Sequence, residues 1–191
     1  TLVPWQVEHA SVLNEPFGDR LQVHQGSYLA MPFESGSADG AYALESCCHA
    51  PGPDKAGFLD ELYRVLRPGA SFAIADGFIK TPEQAQSRFF RHLVRWSCDG
   101  WALDCFPSLP PFMEKLRDLG FRQLQVRDIS WQIAPSVMHS PGLVFFFALK
   151  KMLQGERLNA VRRRHLLACL VALVIGMHRT HFGYYLVTGK K

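Results

Sequence analysis

Glu45 and His49 are a carboxylate and an imidazole four residues apart, so one helical turn would carry both on one side. An imidazole in that position can take a proton from a hydroxyl or an amine. It can equally be a structural histidine that holds a loop closed. Carboxylates and aromatic faces suit a different task, the stabilisation of a cation developing on carbon. Asp76 ends an apolar run and is a further carboxylate of this kind; an equal reading makes it the cap of the next turn. Trp101, Phe106 and Trp131 could line an apolar pocket, although aromatics between helices are more often simply core. The five cysteines, Cys47, Cys48, Cys98, Cys105 and Cys169, form no CxxC pair and no zinc spacing. Cys47 and Cys48 therefore read as pocket or core filler. The eight histidines lack companions at ligand spacing, so no metal site is expected.

These residues sit in a chain whose elements alternate strand and helix, the pattern of a parallel sheet covered by helices. Pro4–Leu13 reads as a turn and a short amphipathic helix, and Leu21–Gln25 as a short strand ending at Gly26. Ala38–Leu44 is a second strand, entered through Glu34, Ser35, Gly36 and Ser37. Asp54 is the expected cap of the following helix, with Phe58, Leu62, Val65 and Leu66 on one face and Pro68-Gly69 as its stop. Ser71–Asp76 is an apolar buried strand. Thr81-Pro82-Glu83-Gln84 has the form of a capping box that opens a helix through Trp96. Asp99–Pro111 reads as loop, Phe112–Leu119 as a helix ended by Gly120, and Phe121–Ile129 as a strand. Pro141–Leu153 and Arg157–His178 are apolar helices, and Phe182–Thr188 closes the sheet.

The length of 191 residues fits one domain, here 1–79 followed by a helical part, 80–191. Hydrophobic residues are 48% and charged residues 20%, enough for a core and too little charge for disorder. A net charge of +4 argues for no nucleic-acid partner. The basic groups Arg88, Arg91, Arg95 and Arg162–Arg164 read as solvated helix faces, or as a surface that meets anionic lipid or an acidic substrate tail. The longest apolar run, Leu166–Met177, is shorter than a membrane span and is expected to be a buried or interfacial helix. An odd cysteine count without a leader pattern points to a cytoplasmic setting, and the apolar Pro141–Met177 region could make it membrane-peripheral.

Five segments in order carry a family resemblance: Gly26-Ser27, Met31-Pro32-Phe33, Gly36-Ser37-Ala38-Asp39, Glu45-Ser46-Cys47-Cys48-His49 and Arg64-Val65-Leu66-Arg67-Pro68-Gly69. Together they resemble the second half of a class I S-adenosylmethionine-dependent methyltransferase domain. Thr1-Leu2-Val3-Pro4-Trp5-Gln6 and Gly176–Lys191 resemble segments of the tocopherol-type methyltransferases. Tyr42-Ala43-Leu44-Glu45 with His49-Ala50-Pro51 resembles the sterol methyltransferases. The resemblance implies an α/β, Rossmann-like sheet with helices on both faces, a C-terminal antiparallel strand and an apolar helical lid. It implies S-adenosyl-L-methionine as cofactor and a small hydrophobic substrate, an isoprenoid, sterol or quinol. Thr1, Leu2, Ser27 and Tyr28 would lie near the ribose and adenine, and Leu44 and Glu45 near the amino-acid part; His49 and Glu45 would face the substrate as catalytic groups.

Two departures stand out. The family's first strand and glycine-rich loop would precede Thr1, so the sheet is expected to be N-terminally truncated, with one strand unpaired. Ser27 stands where the family usually has an aspartate, and without its charge should hold the adenine amino group less firmly. A non-catalytic remnant, or one half of a split protein, is the alternative. A nicotinamide-binding module lacks its GxGxxG fingerprint here.

Overall fold

The computed structural model describes residues 1–191 and contains one four-stranded sheet. Its strands are β1 (Ala38–Leu44), β2 (Leu66–Ile79), β3 (Arg122–Asp128) and β4 (Phe182–Lys190), in the order β1-β2-β4-β3. β1 and β2 are parallel, with Tyr42 opposite Ala73 and Leu44 opposite Ala75. β4 runs antiparallel between β2 and β3. The expected antiparallel closing strand is therefore present.

The period-two pattern of β2 explains the larger core. Ala70, Phe72, Ile74, Asp76 and Phe78 alternate along the strand and are all buried. Against that face pack α2 (Ala56–Val65), through Phe58, Leu59, Leu62 and Val65, and α4 (Leu109–Asp118), through Phe112, Met113 and Leu116. Both helices show the three-and-four spacing of a buried stripe. A smaller core joins Phe90 and Cys98 of α3 (Arg88–Trp101) to Ile175 of α7 (Ala160–Met177), together with Ile79, Leu103 and Phe106. Of the aromatics with an open reading, Phe106 is core, Trp101 packs beside it, and Trp131 is exposed. On the second face of β1, Tyr42 is 85% and Leu44 64% exposed.

Several local expectations need correction. Leu21–Gln25 is not a strand, because a strand exists only where a neighbour takes its hydrogen bonds. This segment bonds instead to Thr1. Thr81–Gln84 does not open a helix: the Thr81 hydroxyl meets His181 Nδ1 at 2.9 Å, and only a 3-10 turn forms at Glu83–Ala85. The helix start belongs to Ser87, whose hydroxyl accepts the Phe90 N–H at 3.1 Å, and α3 then runs through Trp101, into the stretch read as loop. Asp54 accepts the Ala56 N–H at 3.2 Å, yet the capping position itself is Lys55, in the left-handed region at φ 55°. α2 ends at Val65, ahead of Pro68, and Gly69 makes its turn at φ 81° within β2.

Before β4 the chain adds α5 (Ser130–Met138) and α6 (Ser140–Leu153); α5 has no counterpart in the sequence reading. Asp128 Oδ1 accepts the Ser130 N–H at 3.0 Å and starts α5. Together α5 and α6 span Ser130–Leu153, 24 residues, long and apolar enough to cross a membrane by length and composition. Neither helix has a buried residue. α7 is half-buried, with Ala168 and Ile175 its buried positions. α1 (Pro4–Asn14) has none.

Candidate cofactor and substrate site

Three turns meet at the carboxyl ends of the parallel strands. Gly26 N–H donates to Thr1 O at 2.9 Å, and the Thr1 main-chain nitrogen donates to His24 O at 3.2 Å. The Tyr28 hydroxyl donates to Ser46 O at 3.0 Å, which ties the Gly26 turn to the residues just after β1. Glu45 N–H donates to Ala75 O at 2.9 Å and fixes the end of β1 against β2. Thr1, Ser27, Tyr28, Leu44 and Glu45 are thereby brought to one end of the sheet, where open α/β sheets bind ligands. Leu2 and Leu44 present exposed side chains there. The Ser27 hydroxyl accepts the Leu29 N–H at 3.1 Å, which closes its own turn. Tyr28 packs edge-on against Phe58, and burial pushes its phenol up to about 12, with the nearby Cys48, Cys47 and Asp76 adding to the shift.

A guanidinium locks the neighbouring turn. Arg64 Nε and Nη2 donate to the two Glu61 carboxylate oxygens at 2.7 Å each, a bidentate pair. The same guanidinium donates to Phe33 O at 2.8 Å and Met31 O at 3.1 Å. Glu61 accepts the Met31 N–H, and its hydrogen bonds with Arg64 hold its carboxyl below the usual carboxylate range. One guanidinium thus joins the Met31-Pro32-Phe33 turn to the Arg64–Gly69 segment. Between that turn, α2 and β1 lies an apolar cavity of about 270 Å³, lined by Tyr28, Met31, Phe33, Ala41, Phe58 and Ile74 among others.

Asp76 does not cap a following turn, because β2 continues to Ile79; its carboxylate caps the Cys47–His49 turn instead. Its Oδ2 accepts from Cys47 Sγ at 3.1 Å and Cys48 N–H at 3.0 Å, and its Oδ1 from Gly77 N–H at 2.8 Å. Both thiols are free, buried and core-packed, as expected; burial first, and then the Asp76 carboxylate, pushes them up, Cys48 to about 12. Lys55, unnoticed in the sequence, is fully buried. Its Nζ donates to Cys48 O at 3.1 Å, Ala50 O at 2.6 Å and Cys105 O at 2.8 Å, pinning the loop after His49 to the loop before α4. A lysine in a loop carries no sequence signal for such a cage.

Glu45 and His49 do not share a helical turn. Glu45 sits in the left-handed region at φ 47°, and the 3-10 turn begins two residues later, at Cys47–His49. Both side chains are exposed. Glu45 Oε1 accepts from the Tyr184 hydroxyl at 3.0 Å, a partner from the far end of the chain. The hydroxyl also lies 3.4 Å from Ala75 O.

A parallel pair tied into three clustered turns, with a C-terminal strand inserted antiparallel, defines the class I methyltransferase fold. Residues 3–74 match the methyltransferase domain family. The chain is 31% identical over 134 residues to a 2-methyl-6-phytyl-1,4-hydroquinone methyltransferase of Synechocystis, covering 70% of this chain and 41% of that protein. It is 30% identical over 132 residues to 24-methylenesterol C-methyltransferase 2 of Arabidopsis thaliana, covering 68% and 36%. The chain thus spans less than half the length of these curated relatives. A protein from Galdieria sulphuraria assigned as a sarcosine dimethylglycine methyltransferase superposes with a TM-score of 0.75 at 18% identity, over 100% of this chain and 68% of that one. Geranyl diphosphate C-methyltransferase from Streptomyces coelicolor A3(2), solved with S-adenosyl-L-homocysteine, gives 0.63 at 14% identity, over 100% and 60%.

The residues present fit an adenosyl donor in part. The turns assigned to adenosine and to the amino-acid end are hydrogen-bonded to one another. β1 has a paired neighbour on one edge only, and its outer face is open at Tyr42 and Leu44.

Proposed function

We propose that the chain is part of an S-adenosylmethionine-dependent methyltransferase acting on a small hydrophobic substrate of the isoprenoid, sterol or quinol kind. The single observation that carries this reading is the hydrogen-bonded cluster of the Thr1, Gly26 and Leu44–Ser46 turns at the tips of parallel β1 and β2. S-adenosylmethionine, when bound, supplies a methyl group on an already activated sulfonium. The protein then has mainly to align donor and acceptor and exclude water. Thr1, Leu2, Ser27 and Tyr28 would hold the adenosine part, and Leu44 and Glu45 the amino-acid part. His49, exposed beside them, would take the proton of a hydroxyl or amine acceptor; a carbon acceptor would draw on the Glu45 carboxylate. The apolar helices α5–α7 would form the lid. The quinol and sterol named for the two curated relatives support the substrate class.

A second reading is favoured by β1 itself. Its unpaired edge and open outer face fit a half-site that needs a further strand beside β1 to grip the donor. Calorimetric titration of this chain with S-adenosylmethionine and S-adenosylhomocysteine tests both readings. Weak or no binding is expected from the chain alone; tight binding would remove the need for a flanking strand. Binding of either compound that Tyr28→Ala and Glu45→Ala leave unchanged would place the site elsewhere.

A further inference from the structure

The segment from Ser130 to Met177 is chemically unlike the rest of the chain. It holds six lysines and arginines (Lys150, Lys151, Arg157, Arg162, Arg163, Arg164) and a single acid, Glu156. That surplus exceeds the net charge of the whole protein, +4. Glu156 is already engaged: it accepts from Lys151 at 2.8 Å and lies 3.8 Å from Arg162. Lys150, Arg163 and Arg164 are left without a carboxylate partner, and Lys150 and Arg163 sit in exposed positions.

Most apolar side chains of α6 are exposed. Leu143, Phe146, Lys150 and Leu153 follow a helical stripe, and all are exposed, Phe146 at 67% and Leu153 at 77%. Phe145 and Met152 lie further round the helix and are exposed too. Val144, Ala148 and Lys151 occupy the opposite side and are half-buried, as α6 packs along α7. Between the two helices lies a cavity of about 350 Å³, lined by Phe147, Val161 and Leu166 with Arg162 and His165. An exposed apolar helix that carries an unpaired lysine, followed by a helix with unpaired exposed arginines, has the composition of a segment that meets an anionic membrane surface.

We propose that α6 docks the protein on an anionic lipid bilayer, with Leu143, Phe146 and Leu153 entering the acyl boundary and Lys150, Arg163 and Arg164 meeting the headgroup phosphates. The inference does not depend on methyl transfer, since it uses no residue of the cofactor site.

Co-sedimentation with vesicles of phosphatidylcholine, alone or mixed with phosphatidylglycerol, is the test. The protein is expected to bind the mixed vesicles, to bind phosphatidylcholine at least about tenfold more weakly, and to be released by salt. The triple variant Lys150→Gln/Arg163→Gln/Arg164→Gln should bind the mixed vesicles about a hundredfold more weakly. Phe146→Ser/Leu153→Ser should also lose binding, by about tenfold or more, with an unchanged circular dichroism spectrum because both side chains are exposed. Absence of binding to mixed vesicles overturns the proposal, as does equal binding to both lipids. Resistance of bound protein to an alkaline carbonate wash would make Ser130–Leu153 a spanning segment. A dimer in sedimentation velocity that the Phe146/Leu153 variant dissolves would make a second copy the occupant, and would overturn it equally.

Discussion

The Tyr184 hydroxyl donates to Glu45 Oε1 at 3.0 Å, so the last strand of the chain holds the side chain of the residue that ends β1. Glu45 is one of four non-glycine residues with positive φ, at 47°, a conformation that surrounding contacts must maintain. Burial first, and then the Glu45 charge, pushes the Tyr184 phenol well above its ordinary value, so it remains a donor throughout the physiological range. Tyr184→Phe removes one hydrogen bond to a solvent-accessible carboxylate and should cost about 1 kcal/mol. A urea titration measures that directly. Any S-adenosylhomocysteine affinity should fall with it, because the Glu45 main chain loses its external support.

Lys55 should tolerate substitution far less well. Its ammonium satisfies three main-chain carbonyls from two loops in a fully buried site. Lys55→Met keeps much of the stem and leaves those acceptors without a donor, a loss of about 3 kcal/mol or more. The expected result is a clear drop in denaturation midpoint and faster proteolysis in the Ala50–Asp54 and Cys105–Ser108 loops. An unchanged midpoint would mean that water replaces the ammonium freely.

The contrast between Arg64 and Lys55 shows what a sequence can carry. Arg64 belongs to a run, Arg64-Val65-Leu66-Arg67-Pro68-Gly69, whose spacing to Met31-Pro32-Phe33 is itself informative, and the structure joins the two through one guanidinium. β1 was legible to the residue, because turn residues precede a seven-residue apolar strand. Leu21–Gln25 was misread because strand pairing is a property of neighbours, not of a segment's own residues. The false helix start at Thr81 has a similar origin. Its hydroxyl has the spacing of a local cap, whereas a histidine a hundred positions later claims it. Glu45 and His49 were linked by assuming a helical turn, and a left-handed residue breaks that assumption. What sequence spacing conveyed was local geometry; what it missed were side-chain partners distant along the chain.

Gly100 sets the distance between α3 and α7. A Cβ built there would lie 2.5 Å from the Ala168 side chain and 2.9 Å from Arg164 O, both closer than real contacts allow. Gly100→Ala should gain about 1 kcal/mol of helix propensity. Overpacking costs typically about 1–3 kcal/mol, occasionally more, and here the obstacle includes main chain. The clash should win, and the melting temperature should fall. Gly100→Val should fall further. A rise for Gly100→Ala would mean that the helices separate without penalty.

Asp128 predicts an acid-sensitive joint. It accepts from Arg179 Nη2 at 2.6 Å and from the Ser130 N–H at 3.0 Å, tying the end of β3 to the segment between α7 and β4. Burial pushes its carboxyl up, but the hydrogen bonds from Arg179 and Ser130 outweigh that and hold it at about 2, below its ordinary value of 3.8. A carboxyl depressed in the folded state binds its proton more readily when unfolded. Its contribution to stability is therefore present above pH 3.8 and fades as the pH falls towards about 2. Thermal melts of the parent protein and of Asp128→Asn, followed from pH 6 downwards, should differ at neutral pH and converge near pH 2. The pair is more than a third exposed on the aspartate side, so salt should shrink the difference as well. Curves that stay parallel across the whole range would show that the carboxylate charge contributes nothing to this joint.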